Sequence, residues 1–460
     1  MTAPAHVTRT RVLGIAWPIV LANAAVPLLG LADTAVIGRV GRAVDLGAIA
    51  LGALLLSFLY WSFGFLRMGT TGFTAQAAGA GDEPEVRAAL ARALLLAAAA
   101  GLALLALQIP AGLLAFRLLH GSEAVEALAR DYFSIRIWGA PATLATFALL
   151  GLFVGLGASR LLLIVQLVLN GINIALDVLF AGVLGWGVRG IALGTLIAEW
   201  SALIVALALA GSLLAKRRTD DEPFWPLTRV RDLGRLGRTL SANADIMVRT
   251  LFLLFGFAWF TDQSARFGDT LLAANHVLLQ LVSFAAFFLD GFAFAGESLV
   301  GAAVGARRLD RFDAAVRHSS ELAAATAVVL AGTFLALGEP IVRGLTVLEP
   351  VREAALRHLP FAAGYVLVSF AAFQLDGIFI GATRTRDMRN ASIASLLLFL
   401  AAWWPLSTRL GSRGLWIAFI LYVIARAFTL GMRYPALRAA VAAPSDPAPA
   451  AAARSPRPPG

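Results

Sequence analysis

Two acidic residues sit where acids are costly. Asp33 lies within LLGLADTAVIG, in a run with no other charge between Arg11 and Arg39, and Asp177 lies within NGINIALDVLF. At bilayer depth an ionisable side chain is rare and faces a cavity, a partner or an ion path. Asn173 precedes Asp177 by four positions, so on a helix the amide and the carboxylate share one face. Asn170 joins them there, and Thr195 in GIALGTLIAEW adds a hydroxyl if the chain turns back at GWGVRG. Two carboxylates, an amide and a hydroxyl suit a proton or a small cation, because desolvation and like-charge repulsion both oppose double ionisation of the acids. Each polar residue alone could instead be glue between helices.

Further charges lie in other apolar runs. Asp290 and Glu297 flank GFAFAG, Asp376 precedes GIFIG, and Glu199 lies near the end of its run within reach of an arginine or water. Arg249 follows Asp245 by four residues, which predicts an ion pair along one helix.

The elements that must position these groups are membrane helices. Of 460 residues, 59% are hydrophobic and 14% charged, against the roughly 25% charged residues of soluble domains. A hydrocarbon core about 30 Å thick needs about 20 apolar residues per crossing, and twelve such runs recur along the chain. Apolar sequence continues through VPLLGLADTAVIG, which predicts that the first run is a retained spanning helix and not a cleaved leader. The net charge of +10 comes mostly from arginines in short connections, a pattern of membrane orientation and not of nucleic-acid binding. With the N-terminus placed inside, the termini and even-numbered connections hold roughly twice the Lys and Arg of the odd-numbered ones, so both termini are expected in the cytoplasm.

The chain divides near its middle. KRRTDDEPFWPLTRVRDLGRLGR is the longest polar connection, and motifs repeat across it: GLFVG (Gly151, Gly155) returns as GIFIG (Gly377, Gly381), and GVRGI returns as GSRGL. Two matches in the same order argue for duplication. The expected fold is an all-α integral membrane protein, with twelve transmembrane helices in two pseudo-symmetric six-helix lobes. Residues 1–11 form a cytoplasmic N-terminus, 12–214 the first lobe, 215–238 a cytoplasmic connection, 239–434 the second lobe and 435–460 a disordered Pro- and Ala-rich tail. Parallel six-helix repeats point to a transporter with a cavity between the lobes.

Other chemistries find no residues. There is no cysteine, the five histidines show no metal-ligand spacing, and no G-x-x-x-x-G-K-[ST] cradles a nucleotide. GAGD at 79–82 matches a motif of intramembrane aspartyl proteases but leads into the polar EPEVR. The expectation is therefore no enzyme, no cofactor, no metal centre, no nucleotide and no nucleic acid. The partners are the lipid bilayer and a small amphipathic molecule, and transport energy comes from an ion gradient.

These residues resemble the multidrug and toxic compound extrusion (MATE) family, specifically its DNA-damage-inducible protein F branch, over about residues 8 to 435. LADTAVIGRVG, NGINIALDVLF followed by GVRGIALGTLIAEW, AANHVLLQ and DGFAFAGESLVGAAVGA carry the resemblance together with the repeat. It implies a V-shaped pair of lobes and cation-coupled efflux of drugs or toxic metabolites across the inner membrane. It implies Asp33 as the coupling carboxylate, with Asp177, Asn173 and Thr195 in its network and Pro18 as the bending point of the first helix. Relatives are expected to hold sodium in the second lobe with an aspartate that Asp376 matches and a glutamate whose place Arg249 takes here, which favours H+ over Na+ without excluding Na+. The alternative reading is a flippase for a lipid or lipid-linked oligosaccharide, which would want a cationic cavity. Arg67, Arg249 and Arg426 lie within apolar runs, against five or more carboxylates.

Overall fold

The computed structural model describes residues 7–118 and 122–443. We number its long helices α1 (Arg9–Val40), α2 (Ala43–Gly79), α3 (Glu83–Ala106), α4 (Glu123–Gly155), α5 (Ser159–Val183), α6 (Gly187–Arg217), α7 (Leu233–Ala265), α8 (Asp269–Gly305), α9 (Leu309–Leu345), α10 (Glu349–Gly381), α11 (Thr385–Leu410) and α12 (Ser412–Gly431). Among the described residues, eleven helices are long and apolar enough to cross a membrane. With α1, 32 residues long, they make the expected twelve. Their outer faces leave large apolar side chains such as Trp61, Ile109, Val183 and Phe428 exposed, as lipid-facing helices do, since each satisfies its own backbone hydrogen bonds.

Local sequence sets the boundaries. Thr8 caps α1 by accepting a hydrogen bond from the Arg11 amide, and Asp82 and Ser122 cap α3 and α4 in the same way, each oxygen taking one of the amides a helix start leaves free. α2 breaks at Ser62–Gly64 and resumes at Phe65. α9 bends at Leu337, three residues before Pro340. α1, by contrast, runs through Pro18 without interruption. The helix Tyr434–Ala442 corrects the expectation of disorder from 435; residues 444–460 lie outside the described residues, as do 1–6.

The repeated motifs do the same work in each half. In α4, Gly151 and Gly155 let the backbone of α2 approach at the Arg67 and Thr71 carbonyls, and in α10 Gly377 and Gly381 admit α8 at the Ala293 and Glu297 carbonyls. Partners are separated by the same number of residues in both halves, and a Cβ at any of the four would overlap backbone. Gly187 and Gly411 both take positive φ, 55° and 59°, and Gly190 and Gly414 both abut the end of the preceding helix. Short glycine motifs that chance could have produced thus mark equivalent helix contacts.

The lobes meet at one end, the end that carries the α2–α3, α4–α5, α8–α9 and α10–α11 turns. There Gln76 donates to the Gly381 carbonyl at 2.9 Å and to Thr383 Oγ1 at 3.1 Å, and Ser298 donates to the Gly155 carbonyl at 3.3 Å. Gly79 lies on the Ala302 backbone and Gly305 on that of Gln76. Arg9 pairs with Glu321 of α9 at 2.8 Å.

Candidate functional site

The N-terminal lobe brings Asp33, Asp177, Asn173 and Thr195 together from α1, α5 and α6. All four are buried, Asn173 and Asp177 completely. Asn173 Nδ2 donates to Thr195 Oγ1 at 2.9 Å, and that hydroxyl donates to the Ile191 carbonyl, also at 2.9 Å. The Asp33 and Asp177 carboxyl groups lie against each other. Asp33 Oδ1 and both Asp177 oxygens have no hydrogen-bond donor among the described residues. Two buried carboxyl groups in contact without donors need a shared proton or a bridging cation.

Backbone geometry makes this approach possible. α5 widens into a π-helical turn, Val178–Val183, directly after Asp177, a distortion that recurs beside functional side chains. Gly194, next to Thr195, lets α6 close on Asp177; a Cβ there would lie 2.6 Å from Asp177 Oδ1. Asn170 Nδ2 donates to the Ala25 carbonyl of α1 at 2.9 Å, tying α5 to the helix that bears Asp33.

Sequence reasoning missed one member of this site. Arg136, at the margin of the fourth apolar run, is buried and pairs with Glu199 at 2.8 Å. Its charge acts on both Asp33 and Asp177. Glu199 thus meets an arginine, as expected, and that arginine offsets part of the lobe's acidic charge. The available signal was Glu199 itself, whose need for a cation pointed to an arginine at the edge of a neighbouring run.

The C-terminal lobe arranges its acids differently. Arg249 Nη2 pairs with Asp376 Oδ2, and Arg426 Nη2 stands 3.8 Å from the same oxygen. The expected Arg249–Asp245 pair does not form. α11 supplies Asp245 with Arg389 at 2.6 Å and the Thr385 hydroxyl at 3.1 Å, while α10 supplies Arg249 with Asp376, so tertiary partners displace the local one. Glu297 pairs with Arg67 of α2 at 3.0 Å. Asp290 is half-buried in the field of Arg67 and Arg249, with no ion pair within 4 Å among the described residues. The structure brings neither Asp290 nor Asp376 into contact with Asp33. Pro18 lies just over four turns before Asp33, between Ala16 and Val20, which abut Gly291 of α8.

Comparison with known proteins gives consistent relatives. The sequence model of the MatE family matches residues 18–179 and 246–403, one segment in each half. The chain is 39% identical over 424 residues to the DNA damage-inducible protein F of Escherichia coli, covering 90% of each chain. It is 32% identical over 430 residues to a probable multidrug resistance protein NorM of Deinococcus radiodurans, covering 88% of this chain and 90% of that one. The solved structure of a MOP superfamily transporter from Pyrococcus furiosus, whose binding pocket is described as of reverse polarity and suggestive of a different function, superposes with a TM-score of 0.83 at 18% identity. That match covers 94% of this chain and 96% of the other, and it shows a shared fold.

Proposed function

This chain belongs to the MatE family of multidrug and toxic compound extrusion transporters, and from that premise we propose that it is a proton-coupled antiporter exporting amphipathic, often cationic, drugs or toxic metabolites by alternating access. The observation that carries the reading is the Asp33–Asp177 carboxyl pair, buried in the N-terminal lobe and short of donors. Relatives named for multidrug resistance support the substrate class. The arginine asymmetry of the connections supports a protein of the inner membrane with both termini in the cytoplasm. In that orientation the lobes are sealed on the cytoplasmic side.

The cycle follows from the charge of the pair. From the outer side a proton joins Asp33 and Asp177, the Asn173–Thr195 contacts rearrange, and α1 yields at Pro18, where a backbone donor is missing. The lobes then part on the cytoplasmic side. There the site releases its proton, and the regained negative charge attracts a cationic substrate. Each ligand stabilises the state that expels the other, which is what obligatory exchange requires.

Protons are favoured over sodium by the C-terminal lobe. Arg249 and Arg426 already compensate Asp376, and a sodium ion there would face two guanidinium groups. A flippase for an anionic lipid headgroup would want uncompensated cations, yet Arg67, Arg136, Arg249 and Arg426 each stand beside a carboxylate. The test is dye movement in proteoliposomes under an imposed pH gradient and, separately, an imposed sodium gradient. The pH gradient alone should drive wild type and fail to drive Asp33→Asn. Full transport by Asp33→Asn refutes the proposal, and sodium-driven transport corrects the ion.

A further inference from the structure

Arg67 crosses from α2 into a site built by α8. Its guanidinium carbon lies 3.7 Å from the ring centroid of Phe294, and its Nη1 lies 3.0 Å from Glu297 Oε2, with Nη2 at 3.5 Å from Oε1. The Glu297 side chain is 2% exposed and that of Arg67 12%. A planar, delocalised cation laid on an aromatic face and held by a carboxylate is the arrangement with which proteins recognise organic cations. Here the cation is one of the protein's own side chains.

The site and its occupant belong to different lobes. Asp290, Phe294 and Glu297 fall at i, i+4 and i+7, one face of α8, and Asp290 has no ion pair within 4 Å among the described residues. If the lobes part at this end, Arg67 leaves with α2, and α8 keeps an aromatic ring between two carboxylates that lose their nearest cation, since Arg249 of the same lobe is already paired with Asp376. Breaking a buried pair in this way is strongly unfavourable unless a new cation arrives. We infer that Asp290, Phe294 and Glu297 form the inward-facing binding site for a planar or quaternary organic cation, which Arg67 fills when the cytoplasmic side is closed. The inference rests on the alternating-access reading above and adds to it a substrate site distinct from the Asp33–Asp177 pair. Substrate entering from the cytoplasm takes the place of Arg67, which stabilises the open state. The return of Arg67 as the lobes close displaces the substrate toward the outer side. Substrate and Arg67 are competitors for one site.

Competition gives a direct test with ethidium, a planar organic cation, titrated by fluorescence anisotropy into the purified full-length protein in detergent. Arg67→Gln should bind ethidium about tenfold more tightly than wild type, and Arg67→Lys, which keeps the charge, should stay near wild type. Adding Phe294→Leu or Glu297→Gln to Arg67→Gln should remove the gain. Unchanged or weaker binding by a monodisperse Arg67→Gln protein, or a gain that survives Glu297→Gln, overturns the site. Should Arg67→Gln aggregate, Glu297→Gln alone decides: it should weaken ethidium several-fold, and unchanged affinity refutes the inference. The parent reading fails separately, if wild type moves no dye in proteoliposomes. Wild-type transport with no effect of these substitutions on binding refutes only the site.

Discussion

In the N-terminal lobe, Asp33 and Asp177 meet with three of their four oxygens lacking a donor; in the C-terminal lobe, Asp376 is held by Arg249 and approached by Arg426. The two lobes repeat one another in their glycine contacts, so the difference lies in the charged side chains and in the π-helical turn after Asp177, which the continuous helix α11 does not have. A carboxylate with a fixed arginine has its counter-charge permanently at hand. A carboxylate pressed against a second one has no such partner, and its state depends on what the solution supplies. Duplication provided two related frames, which now differ in their charged residues and in one helix turn.

The largest effect expected from this contrast is functional. Asp33→Asn should reduce pH-driven dye transport to the level of empty liposomes while leaving the protein folded, with thermal stability in detergent unchanged or slightly raised, because an unpartnered buried carboxyl group has been removed. The corresponding change in the other lobe should behave in the opposite way. Arg249→Gln strips Asp376 of its close partner and should cost about 3 kcal/mol of stability, read as a lower unfolding temperature in detergent. If Arg249→Gln is as stable as wild type, Asp376 is not held as the pair implies. If Asp33→Asn is the less stable of the two, the roles of the lobes are reversed.

A smaller effect tests the geometry of the carboxyl pair. Gly194→Ala places a methyl group against Asp177 Oδ1, at 2.6 Å before any adjustment, and should cost about 1–3 kcal/mol through overpacking. It should also slow proton-driven transport by separating Asp177 from Asp33. Gly171 provides the control. It shares α5 with Asp177, and among the described residues no atom beyond its own turn of helix comes within 4 Å of the position its Cβ would take, so Gly171→Ala should leave transport intact. Equal behaviour of the two variants would show that α6 does not need its close approach to Asp177.

How far these sites could be read from sequence follows from the physics of each residue. Asp33 and Asp177 announce themselves because a carboxylate in an apolar run is costly without a purpose. Twelve crossings follow from run lengths, and the duplication from glycines that sit where two backbones touch. Partner choice is another matter. Sequence offered Arg249 its local neighbour Asp245, and the fold gave each of them a partner from a distant helix. Arg136 looked like a member of a connection because it stands at the edge of its run, yet α4 extends from Glu123 and carries it into the core. Arg67 and Glu297 lie in different halves of the chain, and nothing local to either predicts that Phe294 will lie beneath the guanidinium.

The smallest expected effect concerns the connection between the lobes, which docks on the N-terminal one. Arg87, at the start of α3, pairs with Asp220 at 2.7 Å and donates from Nε to the Phe224 carbonyl at 2.9 Å. Arg229 pairs with Asp82 and Glu222 at 2.9 and 2.8 Å. The segment between α6 and α7 therefore docks on the N-terminal lobe. Hydrogen bonds from Arg87 hold the Asp220 carboxyl below the usual carboxylate range. A group lowered in the folded state contributes its docking energy above its ordinary pKa, near ~3.9, and loses it as pH falls through the lowered value. The chain has no cysteine, so Trp225→Cys can carry a single environment-sensitive dye. Its emission should stay constant from about pH 8 to pH 5 and change only below about pH 4, whereas in Trp225→Cys with Asp220→Asn the low-pH emission should already be present at neutral pH. Transport by Asp220→Asn should remain within about twofold of wild type, because the pair fastens the connection to α3 and takes no part in the Asp33–Asp177 or Asp376 clusters. A large transport defect would mean that the connection takes part in the exchange between states, and the contrast between the lobes would then extend beyond the membrane.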